Sequence, residues 1–157
     1  MTIPLSNDLA SVTAIMQTAL TPAFLLVAIG TLLNIFVIRL SRIVDRSREL
    51  QAQYAKTKGK EHEMLVAELR IVKKRMTTVN TSILLSVLST IAVCMIIGML
   101  FMMGLAGFAM AKAIVATFMI ALVLTATSLL YFVREVQLAN RNIRVREEFL
   151  EPSGAAD

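Results

Sequence analysis

Charge is missing from long stretches of this chain. Between Asp8 and Arg39, between Arg75 and Lys112, and between Lys112 and Arg134 there is no charged residue. The first 38 positions contain no Lys or Arg, so a cleaved secretory leader, which needs basic residues ahead of its apolar core, is not expected. Tryptophan is absent, and cysteine and histidine occur once each, as Cys94 and His62. One cysteine excludes a disulfide within the chain. No Ser-His-Asp set, zinc-ligand spacing, phosphate-binding loop or glycine-rich dinucleotide fingerprint occurs. His62 stands between Glu61 and Glu63, the acids that a helix dipole favours in a solvated first turn. Cys94 falls mid-way along an apolar stretch, where a lone thiol packs as a small hydrophobe. No enzyme, metal site or cofactor is expected.

What is present is apolar. The chain is 57% hydrophobic with a mean hydropathy of +0.72, too apolar for a soluble domain of 157 residues. A helix rises ~1.5 Å per residue, so ~20 uncharged residues cross a hydrocarbon core of ~30 Å. Three spans follow, at residues 22–38, 79–103 and 113–133. Residues 9–21 mix Leu9, Val12, Ile15 and Met16 with Ser11, Thr13 and Gln17. This uncharged run could lengthen the first span, the shortest of the three. It reads better as a short helix lying in the membrane interface, with Thr21-Pro22 as the start signal of the first span. Of the 16 basic residues, 11 lie from Arg39 to Arg75, four lie from Arg134 onward, and only Lys112 falls in the second connection. Basic residues mark the cytoplasmic side. The expected topology has the N-terminus outside, residues 39–76 inside, a tight external loop near 104–112, and the C-terminus inside. The net charge of +5 then reflects membrane orientation and not a soluble nucleic-acid-binding protein.

The fold class expected is an all-α integral membrane protein with three transmembrane helices and a cytoplasmic helical hairpin. Leu40, Ile43, Val44, Leu50 and Tyr54 share one side of a helix that continues the first span. Thr57-Lys58-Gly59-Lys60 breaks it with a turn. Leu65, Leu69, Val72 and Met76 then repeat at four, three and four into the second span. Two such arms look too thin to bury both seams, so partners from other copies or from the C-terminal helix are expected. Four segments result: 1–38, the basic hairpin 39–76, the span pair 77–133, and a C-terminal helix from Glu135 to Leu150 closed by Glu151-Pro152-Ser153-Gly154.

Four features carry a resemblance: PAFLL at 22–26, Asn34, RLSRIVDRSREL at 39–50 and LLYFVREVQLA at 129–139. Together they resemble a widespread family of small bacterial membrane proteins known only as a domain of unknown function. The resemblance covers residues 12–140. It is most specific at Arg39, Asp45, Arg46 and Arg48 and at Arg134-Glu135. It implies three spans in a bacterial inner membrane and carries no activity with it.

Hydroxyl and small side chains form rows in the spans. Ser82, Ser86, Ser89 and Val93 lie at four, three and four, and Ala113, Thr117, Ala121, Thr125 and Ser128 make a similar row in the third span. Thr31 and Asn34 sit in the first. Such rows let membrane helices approach closely and hydrogen-bond, and on another face they can line a pore. Asn34 is expected either to bond across to Ser89 or Thr127 or to line a constriction. A transporter is disfavoured, because no ionisable group lies at the centre of any span. Two functions fit. One is a homo-oligomeric channel, most plausibly tetrameric, gated at its cytoplasmic face and depolarising the cell. The other is a non-conducting scaffold or regulatory subunit that docks a partner protein or anionic lipid.

The arginine row bears on both. Arg39, Arg42 and Arg46 occupy one side of the helix at three and four spacing, while Arg48 points elsewhere, within reach of Asp45. The plain reading is that Arg39 and Arg42 snorkel to lipid phosphates and Asp45–Arg48 forms a surface ion pair. The functional reading joins Arg39, Arg42, Arg46 and Arg48 to Lys73, Lys74 and Arg75 as a collar for an anionic cytoplasmic ligand: a nucleotide, an oligonucleotide or an acidic lipid. With Tyr54 the only aromatic nearby, nucleic-acid contact would be to phosphate.

Overall fold

The computed structural model describes residues 5–106 and 109–143, and every element in them is helical. Helix α1 runs Leu5–Tyr54, α2 Lys60–Ala106 and α3 Ala111–Ile143. At ~1.5 Å per residue, α1 and α2 are each about 70 Å long, more than twice a hydrocarbon core. Each of the three helices carries a stretch long and apolar enough to cross a membrane. The flanks of these stretches expose large apolar side chains, among them Phe24, Val27, Ile91, Met95, Val123 and Leu130. That outward apolar belt is what a lipid-facing bundle requires. The expected chain end from Arg144 to Asp157, including Phe149, Leu150 and Pro152, lies outside the described residues.

Helix α2 is central, with α1 on one flank and α3 on the other. Helices α1 and α3 touch through Phe36 and Phe132, whose ring centroids are 4.5 Å apart. Ile29, Ala92, Val93 and Ala121 form a core among the spans, with Leu25, Leu26 and Leu33 against it. A second core lies in the hairpin, where Ile43 and Leu50 of α1 meet Val72 and Val79 of α2, flanked by Leu40, Leu69 and Met76. The two seams therefore pack on each other, with Ile43, Leu50, Leu65 and Val72 buried and Tyr54 left exposed.

The hairpin turn is where the sequence places it. Helix α1 ends at Tyr54, Lys56 N–H donates to Gln53 O (2.9 Å), and Gly59 takes φ +69° before α2 begins. An L side chain disfavours that dihedral, so glycine is the residue that lets the chain reverse here. Glu61 and Glu63 occupy the first turn of α2 as expected. His62 is half-buried. Its ring packs on Tyr54 (centroids 4.5 Å apart) and its Nδ1 is buried without a partner.

The N-terminal segment differs from expectation. Residues 9–21 do not form a separate interfacial helix; they continue α1 without a break, with Pro22 inside it. Proline removes only one backbone bond, and membrane helices absorb that loss. The reason for the continuation is visible at the far end of α2. A Cβ placed on Gly104 would overlap the Ile15 side chain, so α1 at Ile15 seats against the last turns of α2.

Candidate functional site

The α2–α3 contact positions the site. Ser82, Ser86, Ser89 and Ser128 are each 0% exposed. Ser128 Oγ donates to Ser82 O (2.6 Å), which leaves Ser86 Oγ to donate to Ser128 Oγ (2.8 Å). Ser89 Oγ approaches Ala121 O (2.8 Å) and Thr125 Oγ1 (2.7 Å), and Thr125 Oγ1 also reaches Ala121 O (3.0 Å). These hydroxyls hold two helices of one chain together. Thr31 and Thr117 donate back to carbonyls of their own helices, Val27 O and Ala113 O.

The hydroxyl seam ends in a charge pair. Stepping back from Ser82 by three and four gives Val79 and Arg75; stepping on from Ser128 by four and three gives Phe132 and Glu135. Arg75 and Glu135 meet there. Arg75 Nε (3.1 Å) and Nη2 (2.8 Å) both donate to Glu135 Oε1. Glu135 is 0% exposed, Arg75 is part-buried, and Glu135 Oε2 has no partner. A buried carboxylate depends on such a partner, because desolvation of the charge is costly.

Arg75 also faces α1. Together with Arg39, Arg42, Ile43, Arg46 and Val72 it lines a cleft of about 250 Å³ between α1 and α2. Arg39 closes the uncharged stretch of α1 and Arg75 opens that of α2, so the cleft sits where both helices leave their apolar regions. Arg39 Cζ stands 6.0 Å from the centroid of the Phe132 ring, within cation–π range. Arg46 is held differently. Its Nε (3.1 Å) and Nη2 (2.7 Å) donate to Glu68 Oε1, and its Nη1 donates to Glu49 Oε2 (3.1 Å). These bonds, Glu68's first and then Glu49's, raise its pKa above the ordinary arginine value. Among the described residues, Arg39 and Arg42 have no carboxylate partner.

The expected collar is thus divided. Lys73 and Lys74 turn away from the arginine cleft and, with Arg70, Thr77, Thr78 and Tyr131, line a shallower groove of about 410 Å³. Arg48 is exposed and makes no ion pair with Asp45; the acid that engages this row within α1 is Glu49, through Arg46. Asn34 is exposed, and its amide bonds neither Ser89, which is engaged by α3, nor Thr127, which donates to Val123 O (2.7 Å). Gly30, one turn before it, has open space beside it. Glu135 was not among the residues singled out for the site, although its signal was present. Extending the small-residue rows by one heptad lands on Arg75 and Glu135.

No curated protein and no solved structure shows significant similarity to the chain. The model of the family described as Protein of unknown function (DUF2721) matches residues 19–145, from the first span to beyond Glu135. That match takes in α1 from residue 19 onward, all of α2 and α3, and every residue of the arginine cleft, and the chain belongs to this family.

Proposed function

We propose that the chain is a non-conducting, multi-pass subunit of the bacterial inner membrane whose arginine cleft captures a phosphate-bearing anion at the cytoplasmic face. One observation carries this reading: four guanidiniums line one space at the level where the apolar stretches end. A guanidinium presents planar N–H donors that match phosphate oxygens in pairs. The orientation follows the basic bias of residues 39–75, which supports a cytoplasmic hairpin. Copies associate through the exposed face of α1. Asn34 both donates and accepts, so the same amide on a second copy satisfies it, and Gly30 leaves room for close approach. A closed symmetric homo-oligomer, such as a tetramer, is the arrangement this favours.

A second reading keeps the ligand-gated channel. It is supported by Thr31 and Asn34, which lie exposed on the uncharged stretch of α1 and would face a pore at the centre of an α1 assembly. It is weakened by the hydroxyl rows, because Ser82, Ser86, Ser89, Thr125 and Ser128 are engaged within the chain. Reconstitution into phosphatidylcholine vesicles with and without phosphatidylglycerol separates the two. The first reading expects a higher unfolding temperature with the anionic lipid, loss of that rise in R39Q/R42Q, and ion flux no greater than in protein-free vesicles. Flux that Asn34→Leu abolishes in a stably folded protein would favour the channel.

A further inference from the structure

The donors still free in the cleft set the size of the anion it takes. Arg46 is occupied on three nitrogens by Glu68 and Glu49. Arg75 gives Nε and Nη2 to Glu135, and its Nη1 makes no hydrogen bond among the described residues. Lys73 and Lys74 line another groove. What remains is Arg39, Arg42 and one end of Arg75, with the carboxylates of Glu49 and Glu68 alongside. Such a set neutralises one phosphate and leaves any further phosphate without a free guanidinium.

Resting on the reading of this cleft as an anion site, we infer that it holds the single phosphate of an anionic bilayer lipid, clamped by Arg39 and Arg42 and by an Arg75 that Glu135 positions. The lipid source is favoured by what lies next to the cleft. Ile35, Val37 and Ile38, within one turn of Arg39, are exposed apolar side chains. They give acyl chains a surface that a soluble anion has no use for. Glu135 acts through Arg75 and does not touch the lipid. Taking two N–H groups on one oxygen, it fixes the guanidinium across α2 and α3 and turns the remaining end toward α1. Fixing a donor before binding removes an ordering cost from the binding step.

The test uses the intact chain in detergent micelles, with retained lipid counted by native mass spectrometry. The probes are phosphatidylglycerol, phosphatidylcholine, inorganic phosphate and a short oligonucleotide. One phosphatidylglycerol per chain is expected, bound about tenfold more tightly than phosphatidylcholine, whose choline cation is repelled by the arginines that hold its phosphate. R39Q/R42Q is expected to erase that preference, whereas K73Q/K74Q, which removes two charges from the other groove, changes it less than about twofold. Glu135→Gln and Arg75→Lys are each expected to weaken binding about fivefold, the first despite making the cleft more positive and the second despite keeping its charge. Preference that survives R39Q/R42Q would sink the anion site itself. Displacement of the lipid by equimolar inorganic phosphate, or tighter binding of the oligonucleotide, would leave that site standing and overturn the lipid assignment. Equal or tighter binding in E135Q, with R75K unchanged, would overturn the positioning role alone.

Discussion

Replacing Arg75 with methionine would leave the Glu135 carboxylate buried with neither of the two N–H donors it now receives. Removing one partner of a buried ion pair costs about 3–5 kcal/mol, because an uncompensated charge remains. The lower end applies here, since the Arg75 side chain is 24% exposed, water can reach the pair from the cleft, and about 3 kcal/mol is expected. Glu135→Leu should cost less, about 1–2 kcal/mol, because the freed guanidinium turns into that same opening. The double variant R75M/E135L, with apolar groups of similar volume in both places, should return to within about 1 kcal/mol of the parent. Reversible unfolding in mixed micelles, titrated with dodecyl sulfate and followed by circular dichroism, measures all three and yields the coupling energy directly. Two results would refute the reasoning: an Arg75 variant no worse than the Glu135 variant, or a double variant whose cost is the sum of the singles.

Other perturbations probe other contacts. Ser86→Leu forces a larger side chain into the α2–α3 seam opposite Ser128 and should cost about 1–3 kcal/mol in the same unfolding assay. Leu50→Ala empties a 2%-exposed position in the hairpin core and should cost about 2–4 kcal/mol, with a loss of protection from hydrogen exchange confined to the hairpin. Gly59→Ala meets the +69° dihedral and should cost about 1 kcal/mol without changing lipid retention. Asn34→Leu should leave the monomer's unfolding unchanged while weakening cross-linking between copies in native membranes; unchanged cross-linking would remove α1 as the association face.

Much of this fold is legible in the sequence because its signals are local. Uncharged stretches bounded by Arg39, Arg75, Lys112 and Arg134 mark the apolar parts of the helices, and Gly59 marks the turn. The start of α1 was harder to read, since Pro22 gives a start signal and the contact that overrides it, Ile15 on Gly104, joins residues far apart in sequence. The arginine cleft was half legible. Helical spacing puts Arg39, Arg42 and Arg46 together, but which of them stays free depends on Glu68 from the other arm. Adjacency likewise groups Lys73 and Lys74 with Arg75, although successive residues of a helix point ~100° apart and so meet different neighbours. Hydroxyl rows announce a close helix contact without saying whether it lies within or between chains.

Whether a lipid phosphate sits between Arg39 and Arg42 is read most directly as a distance. Protein carrying ¹³C-labelled arginine, in bilayers containing phosphatidylglycerol, is suited to solid-state carbon–phosphorus recoupling. A charge-assisted N–H···O contact of ~2.8 Å puts the guanidinium carbon about 4 Å from phosphorus. Dephasing at that distance is expected for the parent and should vanish in R39Q/R42Q while persisting in K73Q/K74Q. Absence of dephasing in the parent, or dephasing that survives in R39Q/R42Q, would contradict a phosphate held in this cleft.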